Sequence, residues 1–270
     1  MPGEASIIEL ASWLQTPPGR YLLEWEQAQL DAAVVDLFGF HALQLGLPEL
    51  PGLQANRMPH RWLALDKTTP AAEPHLSPAL AGPGLALYCE FGALPFESNS
   101  LDLVLLPHAL ELAADPHLLL REVERVLRPE GRLVILGLNP ASSWGLRQNL
   151  GRNLPGRQSP FLPRDGEFIG YWRLRDWLRL LSFEVEAAHF GCYRPPMRSD
   201  AWLARWSWIE PIGARWWPVL GAVYFIKAIK RVHGMRLVGL ERGRKSVRAA
   251  APAVAVQSRH HTQQHKEQGL

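Results

Sequence analysis

The stretch that decides the fold runs from Ser100 to Leu138, SLDLVLLPHALELAADPHLLLREVERVLRPEGRLVILGL. Its first part, Leu101 to Leu106, is apolar almost throughout, the composition of a strand covered on both faces. Pro116 to Leu127 predicts a helix. Asp115 is a suitable N-cap, Pro116 sits in the first turn, and Leu119, Leu120, Val123, Val126 and Leu127 form one stripe at helical spacing. Pro129-Glu130-Gly131 stops that helix and turns the chain into another apolar strand, Arg132 to Leu138. Strand, helix and strand in this order make a right-handed βαβ unit and imply a parallel sheet.

The pattern extends in both directions. Upstream, Gly19 to Phe38 follows a helical period through Leu22, Leu23, Trp25, Leu30, Val34, Val35 and Leu37 and is stopped by Gly39. His41 to Leu47, Arg61 to Asp66 and Leu85 to Cys89 read as three short strands. Downstream, Asn139 to Gly170 is rich in Pro, Gly, Arg and Asn and reads as a long loop or lid. Arg173 to Leu181 is an amphipathic helix, Phe183 to Ala188 a sixth strand, and Val219 to Ile229 the last. A Trp-dense helical segment at about 199–217 lies between those two strands. The expected organisation is one α/β domain over 1–235, with a cap helix at about 19–38, followed by a basic tail over 236–270 without periodicity.

Charge separates body from tail. The 270 residues carry a net charge of +3, yet from Lys227 onward ten Lys/Arg face only two Glu. Residues 1–226 hold the other nineteen cations against twenty-four acids. A nucleic-acid reading therefore rests on the tail alone, and a nucleic-acid partner is not expected. Cys89 and Cys192 lie far apart with no C-x-x-C spacing, so neither a zinc site nor a disulfide framework is expected. His260, His261 and His265 in the polar tail make no metal site, and no metal is expected. The N-terminus lacks a basic, then apolar, leader pattern, and the longest late apolar run is nine residues against the roughly 20 that a membrane span needs. The expectation is a cytoplasmic protein with no transmembrane segment.

The block Glu90, Leu94-Pro95-Phe96, Ser100 to Val104, His108 to Glu111, Asp115-Pro116, Arg125 to Pro129 and Gly131 to Val134 resembles the class I S-adenosylmethionine-dependent methyltransferases, in particular their type 11 branch. Phe40 to Gly46 and Gly137 to Pro140, continuing through Gly145 to Arg147, resemble a bacterial subgroup of that branch. The resemblance covers roughly residues 15–230. It implies a Rossmann-like seven-stranded sheet, mostly parallel with the last strand antiparallel, helices on both faces, and S-adenosylmethionine at the carboxyl ends of the first four strands.

An open α/β sheet binds ligands outside the carboxyl ends of its strands, at the switch in strand order. The ribose diol needs a carboxylate after the second strand, and Asp66, twenty residues beyond Gly46, stands at the right distance. The adenine amino group needs an acceptor after the third. Glu90 occupies the place where the resembling family carries an acid, and Leu94 with Phe96 would line the ring's slot. The family's glycine-rich turn is degenerate here, reading Gln44-Leu45-Gly46-Leu47-Pro48-Glu49-Leu50. Only Gly46 survives, Pro48 removes a donor and Leu50 adds a Cβ. The resemblance then leaves Gln44 and Glu49 to serve the cofactor's ammonium end, or the donor site is lost.

Methyl transfer is a displacement that needs alignment and a dry pocket, with a base only if the acceptor must lose a proton. His108, just past the fourth strand, is the expected base or orienting group; its plainer reading is a polar residue closing that strand. Asn139, Arg20 and Tyr21 are further candidates, each with an equally ordinary role in a turn or helix start. Five of the eleven tryptophans fall between Trp202 and Trp217, with Arg205 and Arg215 interleaved. That segment reads as an acceptor lid, a membrane-surface contact, a partner face, or a helix packed on the last strand. The leading expectation is a methyltransferase acting on a small-molecule acceptor. The alternative is a non-catalytic binding or scaffold protein on the same fold that has lost cofactor binding.

Overall fold

The computed structural model describes residues 10–66, 84–153, 161–163 and 168–231. Seven strands form one sheet: β1 His41–Leu45, β2 His60–Asp66, β3 Gly84–Cys89, β4 Leu101–Pro107, β5 Leu127–Leu138, β6 Phe183–Gly191 and β7 Val223–Lys230. Their order is β3-β2-β1-β4-β5-β7-β6. The first five strands pair in parallel, and β7 is antiparallel to both β5 and β6. This is the Rossmann-like α/β sheet that the sequence implies, with its switch in strand order between β1 and β4. The 236–270 tail lies outside the described residues.

Alternation along the strands divides the core in two, because successive side chains point to opposite faces. On one face Leu43, Leu45, Val104, Leu106, Leu133 and Ile135 meet helices α2 (Ala109–Leu112), α3 (Pro116–Val126) and α5 (Tyr171–Leu180), which contribute Leu110, Leu119, Val123, Leu174 and Leu178. On the other, Ala42, Leu103, Leu105, Val134 and Leu136 meet helix α1 (Pro17–Val34) through Leu22, Leu30 and Val34. Helix α3 begins as its sequence predicts: the Asp115 carboxylate accepts from the N–H groups of His117 and Leu118 at 2.9 and 3.0 Å.

Several elements differ from the sequence reading for local reasons. Helix α1 ends at Val34 rather than Phe38, because the Asn56 amide donates to the carbonyls of Val34 and Leu37 and draws the chain out of the helix. Gly39 then passes so close to β4 that a Cβ would come within 2.6 Å of Asp102, whose carboxylate accepts from the N–H groups of Phe40 and His41. Asp102 thus sits on an otherwise apolar strand in order to fix the start of β1. The expected loop over 139–170 contains a helix, α4 (Ser143–Asn153). The Ser142 hydroxyl accepts from Gly145 N–H at its start, and fully buried Trp144 anchors it edge-on against Trp13 and Phe161. Composition hid a helix held by a single large core residue. The last strand starts at Val223, because Pro218–Leu220 form a 3-10 turn.

Candidate functional site

The connection from β1 to β2, residues 46–59, holds turns but no helix, and its shape comes from one side chain. The Gln44 amide nitrogen donates to the carbonyls of Gly46, Leu47 and Leu50 at 3.2, 3.0 and 2.8 Å, and its oxygen accepts from Gly52 N–H at 3.0 Å. A carboxylate has no donor and could not make the first three contacts. The residue that departs from the family pattern is therefore the latch of a rebuilt loop. Its amide, expected at the cofactor's ammonium end, is engaged within the protein instead. Gly46 (φ +74°) and Leu47 (φ +43°) are both left-handed, and a Cβ built on Gly46 would meet nothing closer than the Phe91 ring at 3.9 Å. That contact is an ordinary van der Waals one, and the sequence did not single out Phe91 because an aromatic after a strand carries no signal of its own. Glu49 is half-buried in this loop, and burial raises its pKa.

Asp66 closes β2, and Glu90, exposed, follows β3 directly. The parallel pairing of Asp66 with Cys89 puts the two acids side by side at the carboxyl edge. Leu94 is buried, and its N–H donates to Glu122 at 3.1 Å. Phe96 packs on Trp62 with ring centroids 5.4 Å apart. Asn139 is also occupied, since its amide donates to the Val219 and Gly221 carbonyls and accepts from Ala141 N–H. Arg20 is exposed and bound to Asp200, and the Tyr21 hydroxyl is buried with no hydrogen-bond partner among the described residues. The Arg194 guanidinium sits 4.3 Å over the Tyr21 ring.

His108 stands at the carboxyl end of β4 in a left-handed conformation (φ +54°), a strained backbone for a non-glycine residue. Its ring is enclosed. Nδ1 lies 2.9 Å from Glu111 and Nε2 2.8 Å from Glu26 of helix α1, with His108 and Glu26 exposed by 1% and 0%. Burial alone would lower the imidazole pKa; the two carboxylates outweigh it and push His108 up to about 10. Burial likewise raises Glu111, against its contacts with His108 and with the Leu138 N–H, which donates to it. One oxygen of Glu26 has no hydrogen-bond partner among the described residues. An imidazolium bonded through both nitrogens has no lone pair to accept a proton. The arrangement thus makes His108 a buried cation flanked by two acids, not an exposed base.

Residues 69–135 match the type 11 methyltransferase-domain family. The protein YafS of Escherichia coli (strain K12) is 32% identical over 173 residues, which are 64% of this chain and 65% of YafS. The match therefore spans just under two thirds of that relative. Among solved structures, a chain from the complex of the Haloferax volcanii Trm112 methyltransferase activator with a methyltransferase superposes with a TM-score of 0.56 at 16% identity, over 85% of this chain and 99% of its own. A SAM-dependent methyltransferase of Thermotoga maritima gives 0.53 at 16%, over 78% and 92%. The sheet has the fold of these solved methyltransferases, and residues 69–135 are similar to the type 11 methyltransferase domain. Among the described residues no helix is long and apolar enough to cross a membrane.

Proposed function

We propose that the protein transfers a methyl group from S-adenosylmethionine to a small-molecule acceptor held at the carboxyl edge of the sheet. The observation that supports this most directly is the pair Asp66 and Glu90 on neighbouring strand ends. The residues present fit the cofactor. Asp66 would accept from the ribose diol, Glu90 from the adenine amino group, and Glu49, the one acid in the 46–52 loop, would face the ammonium end. Phe91 would border the bound molecule at Gly46. The bound cofactor supplies an electrophilic methyl group on a sulfonium.

The chain's own work is alignment and exclusion of water. Helix α1 reaches the carboxyl edge through Glu26 on His108, and through Trp25, whose ring lies within 2.0 Å of where a Gly191 Cβ would stand. His108 acts here as a positioning residue that holds α1 against β4. The two buried cysteine thiols accord with a reducing, cytoplasmic setting.

Calorimetric titration of the full chain with S-adenosylmethionine and S-adenosylhomocysteine tests the reading. Binding of both in the micromolar range is expected. No heat with either ligand up to millimolar concentration would sink it and leave a binding or scaffold role on the same fold.

A further inference from the structure

Strand β6 runs parallel to β5 and ends at the carboxyl edge, and β7 begins there. Residues 192–222, which join the two, therefore lie on the ligand side of the sheet. They form helix α6 (Asp200–Arg205), helix α7 (Ile209–Trp216) and the 3-10 turn. Arg20 binds Asp200 at 3.1 Å and ties α6 to α1. Helix α7 is two-sided. Inward, Gly213 lies against Tyr193 so tightly that a Cβ would come within 2.4 Å of its ring. Outward, Trp208, Ile212 and Trp216 repeat every fourth residue and are exposed by 53, 37 and 71%. Trp202 and Trp217 extend the exposed surface on either side.

Soluble proteins scatter exposed apolar side chains singly, and a contiguous set marks an interaction surface. Indoles have an apolar body and a polar N–H, and so concentrate at the interface between acyl chains and water. Here the aromatic rings are interleaved with exposed guanidinium groups: Arg205 lies 5.9 Å over the Trp202 ring, and Arg215 adjoins Trp216. The segment's two acids face Arg partners, Asp200 meeting Arg20 and Glu210 lying 3.8 Å from Arg194. The surface is thus aromatic and positively charged together.

We propose that the α6–α7 face docks the protein onto an anionic lipid bilayer, with its indoles at the headgroup level and Arg205 and Arg215 on lipid phosphates, so that the ligand edge of the sheet faces the membrane. The docking does not depend on the transferase reading.

Sedimentation of the full chain with vesicles tests it, comparing equal parts phosphatidylglycerol and phosphatidylcholine with phosphatidylcholine alone. Partition onto the anionic vesicles is expected, weakened at least about tenfold in a Trp208→Ser, Trp216→Ser variant. Arg205→Gln with Arg215→Gln should weaken it several-fold and flatten its salt dependence. Brominated acyl chains should quench tryptophan fluorescence in the parent and less in the Trp variant. Three results overturn the proposal: no partition of the full chain at low salt, equal partition of the Trp variant, or a solution dimer that the Trp variant dissolves. Should the Trp variant fail to fold by near-UV circular dichroism, the Arg variant decides, and its undiminished partition overturns the proposal equally.

Discussion

The imidazole Nε2 of His108 lies 2.8 Å from the Glu26 carboxylate, and the two residues are 82 positions apart in the chain. Both side chains are removed from water, so each ionised group needs the other. Desolvating a lone charge costs several kcal/mol, and breaking such a pair leaves that cost uncompensated. The contact therefore does mechanical work: it fixes the first helix against the end of the fourth strand. Removing the carboxylate with Glu26→Ala should destabilise the fold by about 3 kcal/mol, read as a lower urea midpoint at neutral pH.

The same contact sets a pH dependence. The two carboxylates push the folded imidazole up to about 10, from an ordinary histidine value near 6.5. Its stabilisation is therefore present in full below about pH 6.5 and is lost progressively as pH rises towards 10. Glu111, raised by burial, acts in the same direction in a lower window. Urea unfolding at roughly pH 6, 7.5 and 9 should show the midpoint of the parent falling, and that of His108→Gln falling less. Measurements stop near pH 9, because burial also raises the Cys192 thiol and adds a second alkaline loss above that point. Parallel slopes for the two proteins would show that His108 is neutral when folded.

Gln44 yields a prediction that runs against the family pattern. Restoring an acid there with Gln44→Glu removes the donor to three loop carbonyls and buries a negative charge beside them. A cost of about 2–4 kcal/mol is expected. Chemical denaturation measures it directly. A midpoint equal to the parent's would mean that the loop does not depend on the amide.

The sheet was legible because β4, α3 and β5 agree at every level: apolar runs, an Asp-Pro helix start and a Pro-Glu-Gly stop. The places of Asp66 and Glu90 at the ends of β2 and β3 were legible as well, because they need only the strand boundaries. The buried cluster was only partly so. His108 and Glu111 stand three residues apart, but Glu26 comes from a helix far upstream, and no local pattern announces that a carboxylate on its buried face meets a histidine. The role of Gln44 was hidden for a similar reason: a degenerate motif looks like loss until the loop around it is seen to need a donor. Helix α4 escaped because its Gly, Arg and Asn content outweighed the one residue, Trp144, that seats it.

If Asp66 and Glu90 hold the ribose and adenine ends, removing either should weaken S-adenosylhomocysteine binding without unfolding the protein. A hydrogen bond to a charged group contributes about 1.5–3 kcal/mol, so Asp66→Ala and Glu90→Ala should each raise the dissociation constant roughly 10- to 100-fold. Glu90 is exposed, and its variant should keep the parent's urea midpoint to within about 0.5 kcal/mol. Titration calorimetry on both variants gives the answer. Unchanged affinity in either would remove that residue from the site while leaving the rest of the reading in place.

Lys230 provides a contrast between a buried and a surface cation on one strand. At the end of β7 its ammonium donates to the Leu127 carbonyl at 2.9 Å, to Asn99 Oδ1 at 3.2 Å and to the Glu124 carbonyl, and it pairs with the Glu124 carboxylate at 3.0 Å. Glu124 lies in the last turn of α3 and Leu127 is its C-cap residue, where carbonyls have no partner within the helix. Lys230→Met preserves the length of the side chain but leaves those oxygens without their donor, and should cost about 2–4 kcal/mol. Lys227, three residues earlier, is half-exposed and lies 3.5 Å from Glu186. Lys227→Met should cost less than about 1 kcal/mol, because water screens that pair and solvates what is left of it. Parallel urea titrations of the two variants separate the cases, and equal losses would show that Lys230 does not cap the helix.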